Sequence, residues 1–73
     1  MMPVYEDAHI FAVESPNMAT AIAAINLTQT GHLLRWIVPH NRAGFYWLVY
    51  KDDSWARERW RESFPDAVIV PKD

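Results

Sequence analysis

"HLLRWIVPHNRAGFYWLVYK", residues 32–51, is the stretch on which the fold turns. Residues 32–39 are mostly aliphatic and aromatic and end on Pro39. Residues 45–51 repeat that character with Phe45, Tyr46, Trp47 and Tyr50. Between them "HNRAG", 40–44, has turn chemistry: Asn tolerates unusual backbone angles and Gly adopts them without steric cost. Two strand-forming runs joined by such a loop predict a β-hairpin, with strands over 32–39 and 45–51. Pro39 cannot donate to a ladder hydrogen bond, which predicts that the first of the two strands lies at the sheet edge.

Upstream, "AHIFAVE", 8–14, alternates and predicts a strand. Ser15 followed by Pro16 predicts a helix start, with Ser as N-cap and Pro at the first helical position. Met18, Ile22 and Ile25 recur at helical spacing and are expected inward, and Gly31 is expected to stop the helix. Thr20, Ala21, Ala24 and Thr28 are then expected outward. No charged residue occurs anywhere along this helix. Such a face fits either close packing on a sheet or a docking surface.

Downstream, "DDS", 52–54, offers N-caps for a second helix over 53–64, with Asp53–Arg57 and Glu58–Arg61 as surface pairs. Ala56, Trp60 and Phe64 share its inward face. Pro65 ends it, and "AVIV", 67–70, predicts a last short strand. The order β-α-β-β-α-β predicts an α+β fold, the ferredoxin-like plait, with one antiparallel sheet and two helices on one face. Residues 1–7 are read as an acidic N-terminal arm and 8–73 as a single small α+β domain.

Composition supports a true core. The chain has 73 residues, of which 51% are apolar, with four Trp, three Tyr and three Phe. Disordered chains hold few such residues. A domain this small buries only about 60% of the surface its unfolded chain exposes, so its stability is marginal. The absence of cysteine suits a reducing compartment. No segment is long and apolar enough to span a bilayer, and "MMPVYED" lacks the regions of a secretion signal. A reducing cytoplasm is therefore expected, with no membrane partner.

Nine acids against seven bases give a net charge of −2, which argues against specific DNA binding. The distribution is uneven. Residues 1–31 hold Glu6, Asp7 and Glu14 and no Lys or Arg, while every base lies from Arg35 onward. An acidic end suits docking on a basic partner.

Catalytic patterns are weak. His9, His32 and His40 lack the i, i+4 spacing of a helical metal pair. Ser15, Ser54 and Ser63 fall at caps or within a helix, not on a nucleophile elbow. Glu58 and Glu62 share a helix face, but Arg57, Arg59 and Arg61 interleave with them, as on a solvated surface. Two glycines cannot build a phosphate-cradling loop. A non-enzymatic protein without cofactor or metal is expected.

The aromatic strand 45–51 presents Tyr46, Leu48 and Tyr50 to one face of the sheet and Phe45, Trp47 and Val49 to the other. One set lies under the helices, and the other invites a partner. Gly44, Phe45, Trp47, Leu48 and Tyr50 resemble the third-strand signature of the RNA-recognition-motif family, and Ile10 and Phe11 resemble the start of its first-strand signature. That resemblance implies base stacking on Phe11, Phe45 and Trp47. Tyr46 stands where that family has a small residue, and Ala43 where it has a base. "ARERWRES", 56–63, is a second candidate RNA contact, with Arg57 and Arg61 beside Trp60.

In length and in its opening "MMPVYEDAHIF", the chain also resembles the small RNA-polymerase-binding transcription regulators of lytic phages that infect Xanthomonas. This resemblance implies a non-enzymatic protein that binds host bacterial RNA polymerase at the N-terminal region of its largest subunit, near nascent RNA. It implies inhibited initiation at promoters and read-through of terminators. On this basis Val4, Tyr5, Glu6, Asp7, Phe45 and Trp47 are candidate partner-binding residues, and Arg57, Arg59 and Arg61 are candidate RNA-proximal residues. The alternatives are a single-stranded RNA-binding module using the open sheet, or an inhibitor of another host or defence complex, such as an anti-CRISPR protein.

Overall fold

A computed structural model describes residues 9–70. The elements run β1 (Ile10–Ser15), α1 (Met18–Thr28), a short 3₁₀ turn (Gly31–Leu33), β2 (Leu34–Pro39), β3 (Tyr46–Lys51), α2 (Ser54–Ser63) and β4 (Ile69–Val70). The strands form one antiparallel sheet in the order β2-β3-β1-β4. This is the small α+β plait that the element order predicts. The hairpin joins β2 to β3, and Pro39 does lie on an edge strand.

The two central strands supply the core. Phe11 stands opposite Tyr50 and Val13 opposite Leu48, and all four are fully buried. The rings of Phe11 and Tyr50 stack 5.1 Å apart, and Trp60 of α2 meets Tyr50 edge-on at 6.1 Å. Ala56 and Trp60 are buried and Phe64 packs beside them, so α2 turns its expected face inward. Asp53 caps α2 by accepting from the Ala56 amide at 3.1 Å. With Asp53 committed to the cap, Arg57 pairs with Asp52 instead, Nε to Oδ1 at 2.7 Å.

Helix α1 departs from the sequence reading in three ways. Its N-cap is Asn17, not Ser15; Asn17 Oδ1 accepts from the Thr20 amide at 2.7 Å, and Ser15 remains in β1. Its end is formed by Gln29, not Gly31. Gln29 adopts the left-handed conformation at φ 60°, while the Gln29 and Thr30 amides donate to the carbonyls of Asn26 and Ile25. That pattern is a Schellman ending with Gln in the position glycine usually takes.

The third departure matters most. Ala21, Ala24, Ile25 and Thr28 face the core, whereas Met18 and Ile22 are exposed. The helix is rotated roughly a quarter turn from the face that large apolar residues would choose. Small residues let its backbone lie close to the sheet, and the space is filled by Phe11, Tyr50 and Trp60 instead. Thr28 is tolerated inside because its hydroxyl lies 2.9 Å from the Ala24 carbonyl oxygen and 2.8 Å from Thr30 Oγ1. Thr30 Oγ1 in turn donates to Tyr50 Oη at 2.7 Å. The network joins α1, the segment after it and β3 with each hydroxyl hydrogen-bonded, which is the condition for burying polar groups without loss.

Among the described residues, no helix is long and apolar enough to cross a membrane.

Candidate functional site

The open face of the sheet is built by the residues of β1 and β3 that alternate with the core set. Glu14 stands opposite Trp47, and Trp47 opposite Val38, so a carboxylate sits beside the indole in mid-sheet. His40, in the hairpin loop, folds over this group. Its ring stacks on Trp47 at 4.5 Å, and its Nε2 lies 2.8 Å from Glu14 Oε2. Nδ1 accepts from the Arg42 amide at 2.9 Å, so a neutral His40 carries its proton on Nε2, which is near Glu14 but not aligned with it for a hydrogen bond. Arg42 places its guanidinium 3.9 Å from the centre of the Phe45 ring. Gly44, at φ 83°, makes the loop that brings these groups together.

Phe45 and Trp47 therefore share one half-buried cluster, each ring already in contact with a neighbour of its own chain. Phe11, the third stacking position implied by the RNA-recognition-motif resemblance, faces the opposite way. It is fully buried under the helices because its cross-strand partner is Tyr50. It has no access to a base.

The three arginines of α2 do not form one patch. Arg57 is buried, tied to Asp52 and placed 4.9 Å over the Phe11 ring. Arg59 reaches across to the end of α1, where Nε donates to the Thr28 carbonyl at 3.0 Å and Nη2 to that of Leu27 at 3.4 Å. A cation there answers the unsatisfied carbonyls and negative dipole of a helix C-terminus. Arg61 is exposed. Val4, Tyr5, Glu6 and Asp7 lie outside the described residues.

Of the three residues the sequence reading places inward, Ile25 is buried, whereas Met18 and Ile22 stand in solvent. Met18, Ile22 and Leu27 of α1 are 38%, 51% and 60% exposed, with Ala19, Ala23 and Asn26 exposed around them. Not one charge interrupts this face. The signal was present in the sequence as a helix without a charged residue. Beside it, between the start of α1 and the end of α2, lies an apolar cleft of about 330 Å³. Thr20, Ala24, Trp60 and Phe64 form part of its wall, and among the described residues its charged lining groups are Glu14 and Asp66.

Among the described residues, no group of three His, Cys, Asp or Glu side chains could hold a metal ion. His9, His32 and His40 stand apart on β1's approach, the 3₁₀ turn and the hairpin loop, and His32 instead packs 5.7 Å from the Trp55 ring. Glu58 and Glu62 are both exposed on α2. No family model matches the chain, and no curated protein or solved structure matches it either.

Proposed function

We propose that this protein is a non-enzymatic docking module that binds bacterial RNA polymerase, inhibits initiation at promoters and permits read-through of terminators. The observation that carries the docking role is the uncharged face of α1, on which Met18, Ile22 and Leu27 stand exposed. Met18 and Ile22 share one side of the exposed arc and Leu27 lies at its other edge, and apolar exposure along an uncharged helix favours a protein partner over solvent. The adjoining cleft adds room for an apolar side chain, and its carboxylates suit a partner with basic residues at the rim. The choice of polymerase rests on the resemblance in length and opening sequence to small phage transcription regulators.

The action would be by occupation. A small plait held rigid by its core offers one helix face to the polymerase, and by favouring one polymerase conformation it shifts that machine's equilibrium. Single-stranded RNA binding through the hairpin aromatics is the weaker account. Phe11 is buried, Trp47 is covered by His40, and Glu14 brings negative charge to the middle of that face.

The test is a binding titration against purified bacterial RNA polymerase holoenzyme, followed by transcription from a template with a promoter and a terminator. The full chain is expected to bind, to reduce initiation and to raise read-through. Ile22→Glu and Leu27→Glu should keep the parent melting curve and lose binding. Absence of binding by the parent, or full binding by both variants, would overturn the proposal.

A further inference from the structure

The two ring nitrogens of His40 face different demands, and one of them is not met. The Arg42 amide donates to Nδ1 at 2.9 Å, which closes a turn over residues 40–42. The backbone closes the same loop again: the His40 amide donates to the Phe45 carbonyl and the Phe45 amide to that of Arg42, each at 3.1 Å. Nε2 carries the proton of the neutral ring and lies 2.8 Å from Glu14 Oε2. It is buried and makes no hydrogen bond, because the ring is turned out of line with the carboxylate.

Two contacts hold the ring at that angle. One is the bond from the Arg42 amide. The other is the Trp47 indole, on which the imidazole stacks at 4.5 Å with the planes 21° apart. Among the described residues, the charged groups around the ring are Glu14 from β1 and Arg42 from the loop itself. Asp66, after α2, lines the same cleft as Glu14. Arg35 and Lys51 lie at the far end of the hairpin, where Leu34 opposes Tyr50 and Lys51 opposes Ile10. The Arg42 guanidinium lies 3.9 Å from the centre of the Phe45 ring, so the turn that seats its amide also seats its side chain over an aromatic.

A second proton changes this arrangement, because imidazolium has a donor on each nitrogen and no acceptor. The proton enters at Nδ1, where it faces the Arg42 N–H, donor against donor, at 2.9 Å. The turn then loses its acceptor, and a constraint that keeps Nε2 out of line goes with it. A charged N–H to a carboxylate is the stronger kind of hydrogen bond, and Glu14 Oε2 is already within reach. A cation over an indole face is also favourable, so the stack on Trp47 survives the change.

We infer that His40 is a proton-operated latch on the hairpin loop. Neutral, it holds the Arg42 amide through Nδ1 and keeps 40–42 closed. Protonated, it releases that amide and turns Nε2–H onto Glu14. Release also frees the Arg42 side chain from Phe45, so the proton governs whether that aromatic is covered. The latch stands apart from the face of α1 and does not depend on the polymerase proposal.

The experiment follows the isolated full chain, isotope-labelled, by NMR from about pH 7.5 to about pH 5.5, where imidazoles titrate and carboxylates are largely ionised. At the upper end the His40 ring should show the Nε2-protonated tautomer. As the ring takes up its proton, the Arg42 amide signal should move upfield and its temperature dependence steepen, as for an amide that gives up its acceptor. The Nε2 proton should move downfield over the same range as it aligns with the carboxylate. His40→Asn identifies the ring signals by their loss. Its carboxamide oxygen can accept from the same amide, two residues on, without titrating, so the Arg42 signal should then be independent of pH. Glu14→Gln should keep the release and abolish the downfield move. A neutral ring protonated on Nδ1, or an Arg42 amide that stays bonded while His40 becomes charged, would overturn the inference. The same pH response at Arg42 in His40→Asn would also overturn it. The first two results are read in the parent chain and hold even where a variant fails to fold. Because no polymerase is present, failure here leaves the polymerase proposal untouched.

Discussion

Arg59 Nε donates to the Thr28 carbonyl oxygen at 3.0 Å, so a side chain of the second helix closes the end of the first. The two residues are 31 positions apart, and their bond fixes how α1 and α2 lie side by side. Charge-assisted hydrogen bonds of this kind are the stronger ones. Arg59→Ala should cost about 1–2 kcal/mol, combining a lost charged hydrogen bond with a lost helix-dipole contact. Arg59→Lys should recover only part of it, because an ammonium lacks the fork that spans Thr28 and Leu27. Urea unfolding of the three proteins measures both. Full stability in Arg59→Ala would remove this link from the account of helix packing.

Tyr50 gives the fold a pH dependence at the alkaline end. Burial pushes its hydroxyl above the ordinary value of 10.0, and the hydrogen bond with Thr30 only partly opposes this. The folded state thus holds the proton more tightly than the unfolded state. The resulting stability is fully present below pH 10 and is lost as pH rises above it through the folded value. Tyr50→Phe should cost about 1–3 kcal/mol at neutral pH by depriving Thr30 of its acceptor. It should also remove part of the loss above pH 10. Parallel unfolding curves in parent and variant across that range would contradict the buried network.

Gln29 is the described residue other than glycine with positive φ, at 60°. A side chain in that conformation costs roughly 1–2 kcal/mol, and glycine avoids the cost while losing some backbone entropy on folding. Gln29→Gly should therefore stabilise the protein by up to about 1 kcal/mol. A rise in the urea midpoint with an unchanged slope is the expected result. A fall would show that the exposed Gln29 side chain contributes more than its backbone costs.

The acidic arm offers a test of the polymerase proposal that leaves the described fold intact. Glu6 and Asp7 stand beside Val4 and Tyr5 in sequence, outside the described residues. As docking charges they contribute little to folding, so reversing both, Glu6→Lys with Asp7→Lys, should leave the melting curve almost unchanged. The same change should weaken polymerase binding by several-fold, as like charges would then face each other. Equal affinities would confine the interface to the folded surface, with α1 as its centre.

The sequence by itself determined the element order, the hairpin at 40–44, the edge position of β2 and the inward face of α2. Each rests on a local rule: a proline without an amide proton, a glycine at a turn, an Asp at a helix start, apolar groups at 56, 60 and 64 set against charged neighbours. Only the tertiary structure decided which face of α1 is buried. "MATAIAAINLT" carries no charge to mark an outside, so local pattern favours its large residues, whereas a core already filled by Phe11, Tyr50 and Trp60 takes mainly Ala and Thr from α1, with Ile25 as the one large residue. The same holds for Phe11 itself. Alternation says that it faces away from Ile10 and Ala12, but only pairing with Tyr50 says which side that is. Arg35, Arg57 and Arg59 look alike as residues in a sequence. A one-residue slip in register between Leu34 and Trp36, an aspartate freed by its neighbour's cap and the open end of another helix give them three different settings. Each of these depends on partners distant in the chain, and distance along the chain is what a local pattern does not encode.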